Sequence, residues 1–309
     1  MQALFEVILP VFLVLGAGYL AMRARLFADS VVDGLMSFTQ TVAVPCLLFR
    51  AISTLDLAQD FDLKLLVSFY SGALAGFAAG FFGARLLFGR PLEDAVAIGF
   101  CCLFSNSVML GLPITERAFG AAALAGNYAI VAVHAPFCYA VGITAMELVR
   151  NRQGGVTAVL RGIFGAMARN ALVVAIALGF AVNLAGYPLP GVLAQAIDMI
   201  GRSAIPVALF GLGGVLYRYR PEGDLRLVGW ICGASLVLHP AVVWGMGSLL
   251  DLNPDQFRSA VVTAAVAPGV NAYVFANMYG AARRVAASAV LIGTALTLPG
   301  VWIWLSLLG

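Results

Sequence analysis

Phe104-Ser-Asn-Ser-Val-Met-Leu-Gly-Leu-Pro113 and Ala265-Val-Ala-Pro-Gly-Val-Asn-Ala-Tyr273 decide how this chain is read. Each lies midway along an apolar stretch long enough to cross a bilayer. The first places Ser105, Asn106, Ser107, Gly111 and Pro113 at that depth; the second places Pro268, Gly269 and Asn271 there. A helix interrupted in the membrane leaves backbone groups that hydrocarbon cannot satisfy, so the interruption has to be buried in protein or border a watery cavity. One such interruption in each half of a chain is the sequence pointer to the substrate site of a secondary transporter.

The surrounding composition sets the solvent. Of 309 residues, 62% are hydrophobic and 11% charged, with mean hydropathy +0.97, whereas a soluble domain carries about a quarter charged residues. No window reads as a soluble domain or a low-complexity linker, so the chain is expected to be one integral membrane unit. The apolar run Val7 to Met22 has Glu6 before it and Arg23 and Arg25 after it. Those are the wrong flanks for a signal peptide, and the run is read as a retained first helix. Five cysteines, Cys46, Cys101, Cys102, Cys138 and Cys232, sit inside apolar stretches and read as small packing residues rather than a disulfide framework.

Spans of about 20 apolar residues predict ten transmembrane helices, at 3–22, 34–54, 63–87, 94–115, 122–148, 160–184, 194–217, 226–250, 256–279 and 285–308. Odd-numbered connections hold twelve basic residues and even-numbered ones three, Lys64, Arg117 and Arg258. By the positive-inside rule the odd connections face the cytoplasm and both termini lie outside. A shift of 161 positions places Gly18-Tyr19 on Gly179-Phe180, Pro45-Cys-Leu-Leu-Phe49 on Pro206-Val-Ala-Leu-Phe210, and Gly72-Ala73 on Gly233-Ala234. This repetition predicts two five-helix units, 1–149 and 159–309, joined by a short cytoplasmic linker over 150–158. Five is odd, so the second unit enters the membrane inverted, and the broken helices become the fourth and the ninth.

Three segments carry a family resemblance. Ser105 to Ile114 followed by Phe119-Gly120, Val44-Pro-Cys-Leu-Leu-Phe49, and Ala267 to Ala276 with Tyr279-Gly280 resemble the auxin efflux carrier family. The resemblance spans essentially the whole chain. It implies a fold similar to that of bile-acid symporters and sodium/proton antiporters, an all-α membrane protein in which broken helices 4 and 9 cross. It further implies a scaffold of helices 1, 2, 6 and 7, a transport domain of helices 3–5 and 8–10 that moves as an elevator, and a homodimer through the scaffold, where Gly16 and Gly18 permit close packing. Members are similar to carriers of organic anions, auxin in plants and dicarboxylates such as malonate or malate in bacteria. Only Asn151 to Thr157 separates the halves here, so the chain looks like a bacterial inner-membrane member and points away from auxin.

The candidate site residues follow from chemistry. A broken helix frees amide donors at the start of its second half, which favours an anion; Pro113 and Pro268-Gly269 suit such starts. Asn106 and Asn271 offer donors and acceptors without fixed charge, with Ser105, Ser107 and Tyr273 as auxiliary hydrogen-bonding groups. His134 beside Pro136 and His239 beside Pro240 are candidates for proton coupling; the plainer reading is a neutral imidazole bridging helices. Arg202 stands four residues after Asp198, which suits an ion pair on one helix face, and Asp29 and Asp33 read as a short loop. Neither a metal site nor a cofactor nor a nucleic-acid partner is indicated, and no constellation suggests an enzyme. A sodium-coupled bile-acid-type symporter, a channel and an intramembrane enzyme are the alternatives to this organic-anion carrier, whose coupling to protons or sodium stays open.

Overall fold

The computed structural model describes residues 4–150, 164–165, 167–168, 170–186 and 188–309. The expected linker, apart from Arg150, and the start of the expected sixth helix lie outside the described residues. The described chain is helical, with no named strand. In order it forms α1 (Leu9–Arg23), α2 (Asp29–Phe38), α3 (Val44–Thr54), α4 (Leu57–Asp60), α5 (Leu63–Leu86), α6 (Leu92–Leu103), α7 (Leu112–Phe119) and α8 (Leu124–Val149). The second half gives α9 (Ala171–Ala185), α10 (Gly191–Arg202), α11 (Ala204–Arg218), α12 (Leu225–Gly233), α13 (His239–Leu249), α14 (Pro254–Ala264), α15 (Val270–Tyr279) and α16 (Arg283–Leu308).

Among the described residues, seven continuous stretches are long and apolar enough to cross a membrane: Glu6–Arg23, Asp29–Thr54, Leu63–Leu86, Ala121–Val149, Gly191–Arg218, Leu225–Leu249 and Arg283–Leu308. The other three expected spans are the two interrupted ones and the short α9. The chain is thus a multi-pass membrane protein.

Prolines shape these helices in a regular way. Single π turns, Leu4–Ile8, Thr39–Ala43, Ser107–Gly111 and Ala234–Leu238, each stand just before an α segment whose second residue is proline: Pro10, Pro45, Pro113 and Pro240. Proline has no N–H and its ring clashes with the carbonyl four residues back. A widened turn shifts the bonding by one residue and lets the helix continue. Gly111 and Pro113 therefore belong to a continuous stretch and do not make the interruption, contrary to the expectation that Pro113 opens the second half-helix. Gly111 is instead a packing position, where a Cβ would stand 3.6 Å from Thr263 of α14.

One core of described residues is built from α5, α6, α8 and α12 to α16 and the turns between them, around Phe69, Phe100, Ile130, Val243 and Phe275. A second cluster joins α1, α2 and α11 to the second half of the interrupted fourth span, to α14 with the interruption after it, and to α16; a third joins α3, α8, α9 and the start of α11. Close approaches occur at glycine: a Cβ on Gly18 would overlap the carbonyl oxygen of Phe210, and one on Gly179 would stand 3.0 Å from that of Phe49. Gly18 is thus occupied by contact within the chain and is not free for a partner, whereas a Cβ on Gly16 would meet nothing within 4 Å.

Charged residues sort to two ends. At one, Arg150 of the α8 end bonds Glu93 at 2.9 Å and the Tyr279 carbonyl at 2.7 Å, Arg90 meets Asp224 at 3.4 Å, and Arg284 meets Glu222 at 3.6 Å. The Glu93 carboxylate holds the Arg150 guanidinium above its usual pKa. Arg218 pairs with Asp33 at 2.6 Å and Asp29 at 3.5 Å. Both aspartates lie in the first turns of α2, which begins earlier than the expected 34, rather than in a loop. At the other end Arg117 donates to the carbonyls of Glu6 and Val7. Asp198 pairs across helices with Arg50 of α3 at 3.1 Å, not with Arg202 on its own face.

Candidate functional site

The two interruptions meet. After α6 ends at Leu103, residues 104–106 are unwound, and after α14 ends at Ala264, residues 265–269 are unwound. Ser105 and Pro268 form an antiparallel bridge. Asn106 N–H donates to the Ala267 carbonyl at 2.9 Å, and Gly269 N–H donates to the Phe104 carbonyl at 2.8 Å. Each interruption thus satisfies backbone groups of the other, as an apolar environment requires. The local causes differ. Pro268 disfavours helical geometry at Ala267 and cannot donate, whereas Ser105-Asn106-Ser107 uses short polar side chains that compete for backbone bonds. The proline of the second half is therefore matched by Ser105, not by Pro113.

A cavity of about 260 Å³ opens beside this bridge, below the roughly 300–1,000 Å³ of pockets for drug-sized ligands. One wall comes from the interruptions and the helix starts after them: Ser105, Asn106 and Ser107 with Val108, and Gly269, Val270 and Asn271. His134 and Val131 of α8 adjoin them. The other wall comes from Gln40, Thr41 and Val44 around the α2–α3 π turn, and from Asn170 and the first turns of α9. Among its described residues no Asp, Glu, Lys or Arg lines the cavity.

Two polar groups in this wall lack partners. Asn106 is 5% exposed and Ser105 4%, and neither Asn106 Nδ2 nor Ser105 Oγ has a hydrogen bond. A buried unsatisfied polar group costs about 1–3 kcal/mol, and both of these belong to residues that line the cavity. The stretch from Ser107 and the helix from Val270 both start without a side-chain cap. Each start carries about half a positive charge, so the wall presents dipolar attraction for an anion without a formal charge.

His134 is the one titratable side chain among the described lining residues. Its Nε2 lies 3.2 Å from the Ser105 carbonyl, which can only accept, so Nε2 carries the proton. Nδ1 faces the Cys138 thiol at 3.7 Å. His239 stands outside this wall, with Nε2 unpartnered, and the Phe69 ring touches both imidazoles, at 5.1 Å from His239 and 5.6 Å from His134.

Of the expected site residues, Ser105, Asn106, Ser107, Gly269, Asn271 and His134 thus converge on one cavity. Pro268 forms the bridge behind it. Gly111, Pro113 and His239 lie outside the wall, as does Tyr273, whose ring packs on Tyr219 at 5.1 Å. Sequence reading missed Gln40, Thr41 and Asn170. Asn170 immediately before an apolar run was a legible helix-start signal, and it divides the expected helix 160–184: its Oδ1 caps α9 by accepting from Leu172 N–H at 2.9 Å.

Comparison with known proteins supplies the family. Residues 3–305 match a family model described as membrane transport protein. A relative from Rhizobium meliloti (strain 1021), named "Putative malonate transporter", is 27% identical over 96% of this chain and 93% of its own length. An uncharacterized transporter of Methanothermobacter thermautotrophicus is 25% identical over 97% and 96%. Auxin efflux carrier component 4 of Arabidopsis thaliana is 26% identical over 39% of this chain and 20% of its own length.

Proposed function

The chain belongs to the membrane transport protein family, and from that premise we propose that it is a secondary active transporter for a small organic carboxylate, held at the meeting point of two interrupted helices. The observation that carries this is the pair of unpartnered, buried groups, Asn106 Nδ2 and Ser105 Oγ, in a cavity wall where two helix starts converge. Dipoles without formal charge bind an anion and still release it, as a carrier requires. The name of the rhizobial relative makes malonate the first substrate to try, with malate beside it.

The proposal includes ten spans in two inverted repeats. In its favour, Gly18 approaches Phe210 while Gly179 approaches Phe49. Both members of the second pair are related to those of the first by the shift of 161, and such reciprocity is what a twofold axis produces. The Ser105 to Pro268 bridge, 163 positions apart, is close to the same register. Elevator movement of helices 3–5 and 8–10 against helices 1, 2, 6 and 7 is supported by the largest core, whose buried residues come from the former group. A homodimer through the latter, residence in a bacterial inner membrane with both termini outside, and proton coupling through His134 complete the reading.

Binding to purified protein in nanodiscs tests the site. Asn106→Ala is expected to weaken carboxylate binding by about 10- to 150-fold, the loss of one hydrogen bond to a charged group, with the thermal unfolding curve unchanged. Wild-type affinity in that variant sinks the site as drawn. Saturable counterflow of labelled carboxylate in proteoliposomes separates a carrier from a channel.

A further inference from the structure

A third helix start reaches the same cavity from the other wall. α9 runs 15 residues from Ala171 to Ala185, about 22 Å at 1.5 Å per residue, against a hydrocarbon core of about 30 Å. Asn170, Ala171, Leu172 and Val173 all line the cavity. Asn170 Oδ1 accepts from Leu172 N–H as the cap of its own helix, which leaves the two donors of Nδ2 as that amide's unused capacity.

The charge balance gives this start a purpose. The two helix starts of the first wall amount together to about one positive charge, which matches one carboxylate. A third start on a separate wall is surplus for a monoanion. The unpartnered, buried Asn106 Nδ2 and Ser105 Oγ point independently to a polar ligand at this cavity.

Resting on the carrier reading above, we infer that the α9 start with Asn170 Nδ2 is a second carboxylate subsite, so that one cavity holds a short dicarboxylate with one end on each wall. Asn170 then sets specificity for the dianion, while Asn106 serves both mono- and dicarboxylates.

The test pairs straight-chain dicarboxylates of three to five carbons with the monocarboxylates in which one carboxylate becomes methyl, measured calorimetrically on protein in nanodiscs. Asn170→Ser keeps a capping oxygen and loses the amide donors; Asn170→Asp also keeps the cap and adds a negative charge. Both should weaken the best dicarboxylate by on the order of tenfold or more, Asn170→Asp the more strongly, and Asn170→Ser should leave its monocarboxylate partner within about threefold. The inference is overturned if wild type holds no dicarboxylate more tightly than its partner, if either folded variant spares the dicarboxylate, or if Asn170→Ser weakens both ligands alike. The two readings separate cleanly. An Asn106→Ala variant that weakens both ligand classes while the Asn170 variants spare the dicarboxylate removes only the second subsite; unchanged binding of both classes in Asn106→Ala removes the first.

Discussion

His134 joins the interruption to the cavity through a single bond, from Nε2–H to the Ser105 carbonyl. A proton added at Nδ1 would place a full charge among described lining residues that otherwise carry none, and a bound carboxylate would stabilise it. By linkage, anion binding then takes up a proton, and affinity falls as pH rises above the pKa of the empty site. Glutamine preserves a donor toward Ser105 and cannot titrate. His134→Gln is therefore expected to bind the anion with a Kd that no longer changes between pH 5.5 and 8, while wild type loses affinity toward the alkaline end. A pH-dependent Kd in His134→Gln identical to that of wild type would move coupling elsewhere. A strong-acid sulfonate ligand in the same series excludes titration of the ligand itself.

At the scale of elements, the prolines fall into two kinds. Pro268 sits in the bridge between interruptions, where its missing N–H needs no acceptor and its ring ends helical geometry at Ala267. Pro113 follows a π turn inside a continuous stretch. Pro268→Ala adds a buried donor at the crossing and removes the reason for the unwound backbone, so carboxylate affinity is expected to fall by at least about tenfold. Pro113→Ala lets the π turn relax, and its affinity should stay within a few-fold of wild type, with thermal stability equal or higher. Paired thermal-shift and binding curves on the two variants decide the matter: equal loss of binding in both would mean that the π turn shapes the site as much as the bridge does.

The whole molecule depends on α1 and α11 approaching to backbone contact. Gly18→Ala puts a methyl into the Phe210 carbonyl and is expected to cost about 1–3 kcal/mol as overpacking. Gly179→Ala, with its nearest neighbours at 3.0 Å, should cost less. Thermal unfolding in mild detergent orders the two, and a more damaging Gly179→Ala would contradict the packing described. Sidedness is checked by a single introduced cysteine. Gln153→Cys should react with an impermeant maleimide only after right-side-out vesicles are opened, since the basic connections belong inside; labelling of intact vesicles would invert the topology.

Composition, spacing and the positions of Ser105, Asn106, Pro268 and Asn271 by themselves determined that this is a multi-pass helical membrane protein interrupted once in each half. They could do so because lipid tolerates polar and helix-breaking residues only at sites enclosed by protein or water. Which of those residues face one cavity was decided by tertiary structure. Pro113 looked like a break, and a π turn absorbed it; Asp198 had an arginine on its own helix face, and a neighbouring helix supplied Arg50 instead. Gln40, Thr41 and Asn170 are far from either interruption in the chain, and only the packing of α3 and α9 around the bridge brings them to the same wall-lined space. Local sequence sets what a helix can bury and where it stops, whereas the partner of a side chain depends on which helices pack beside it.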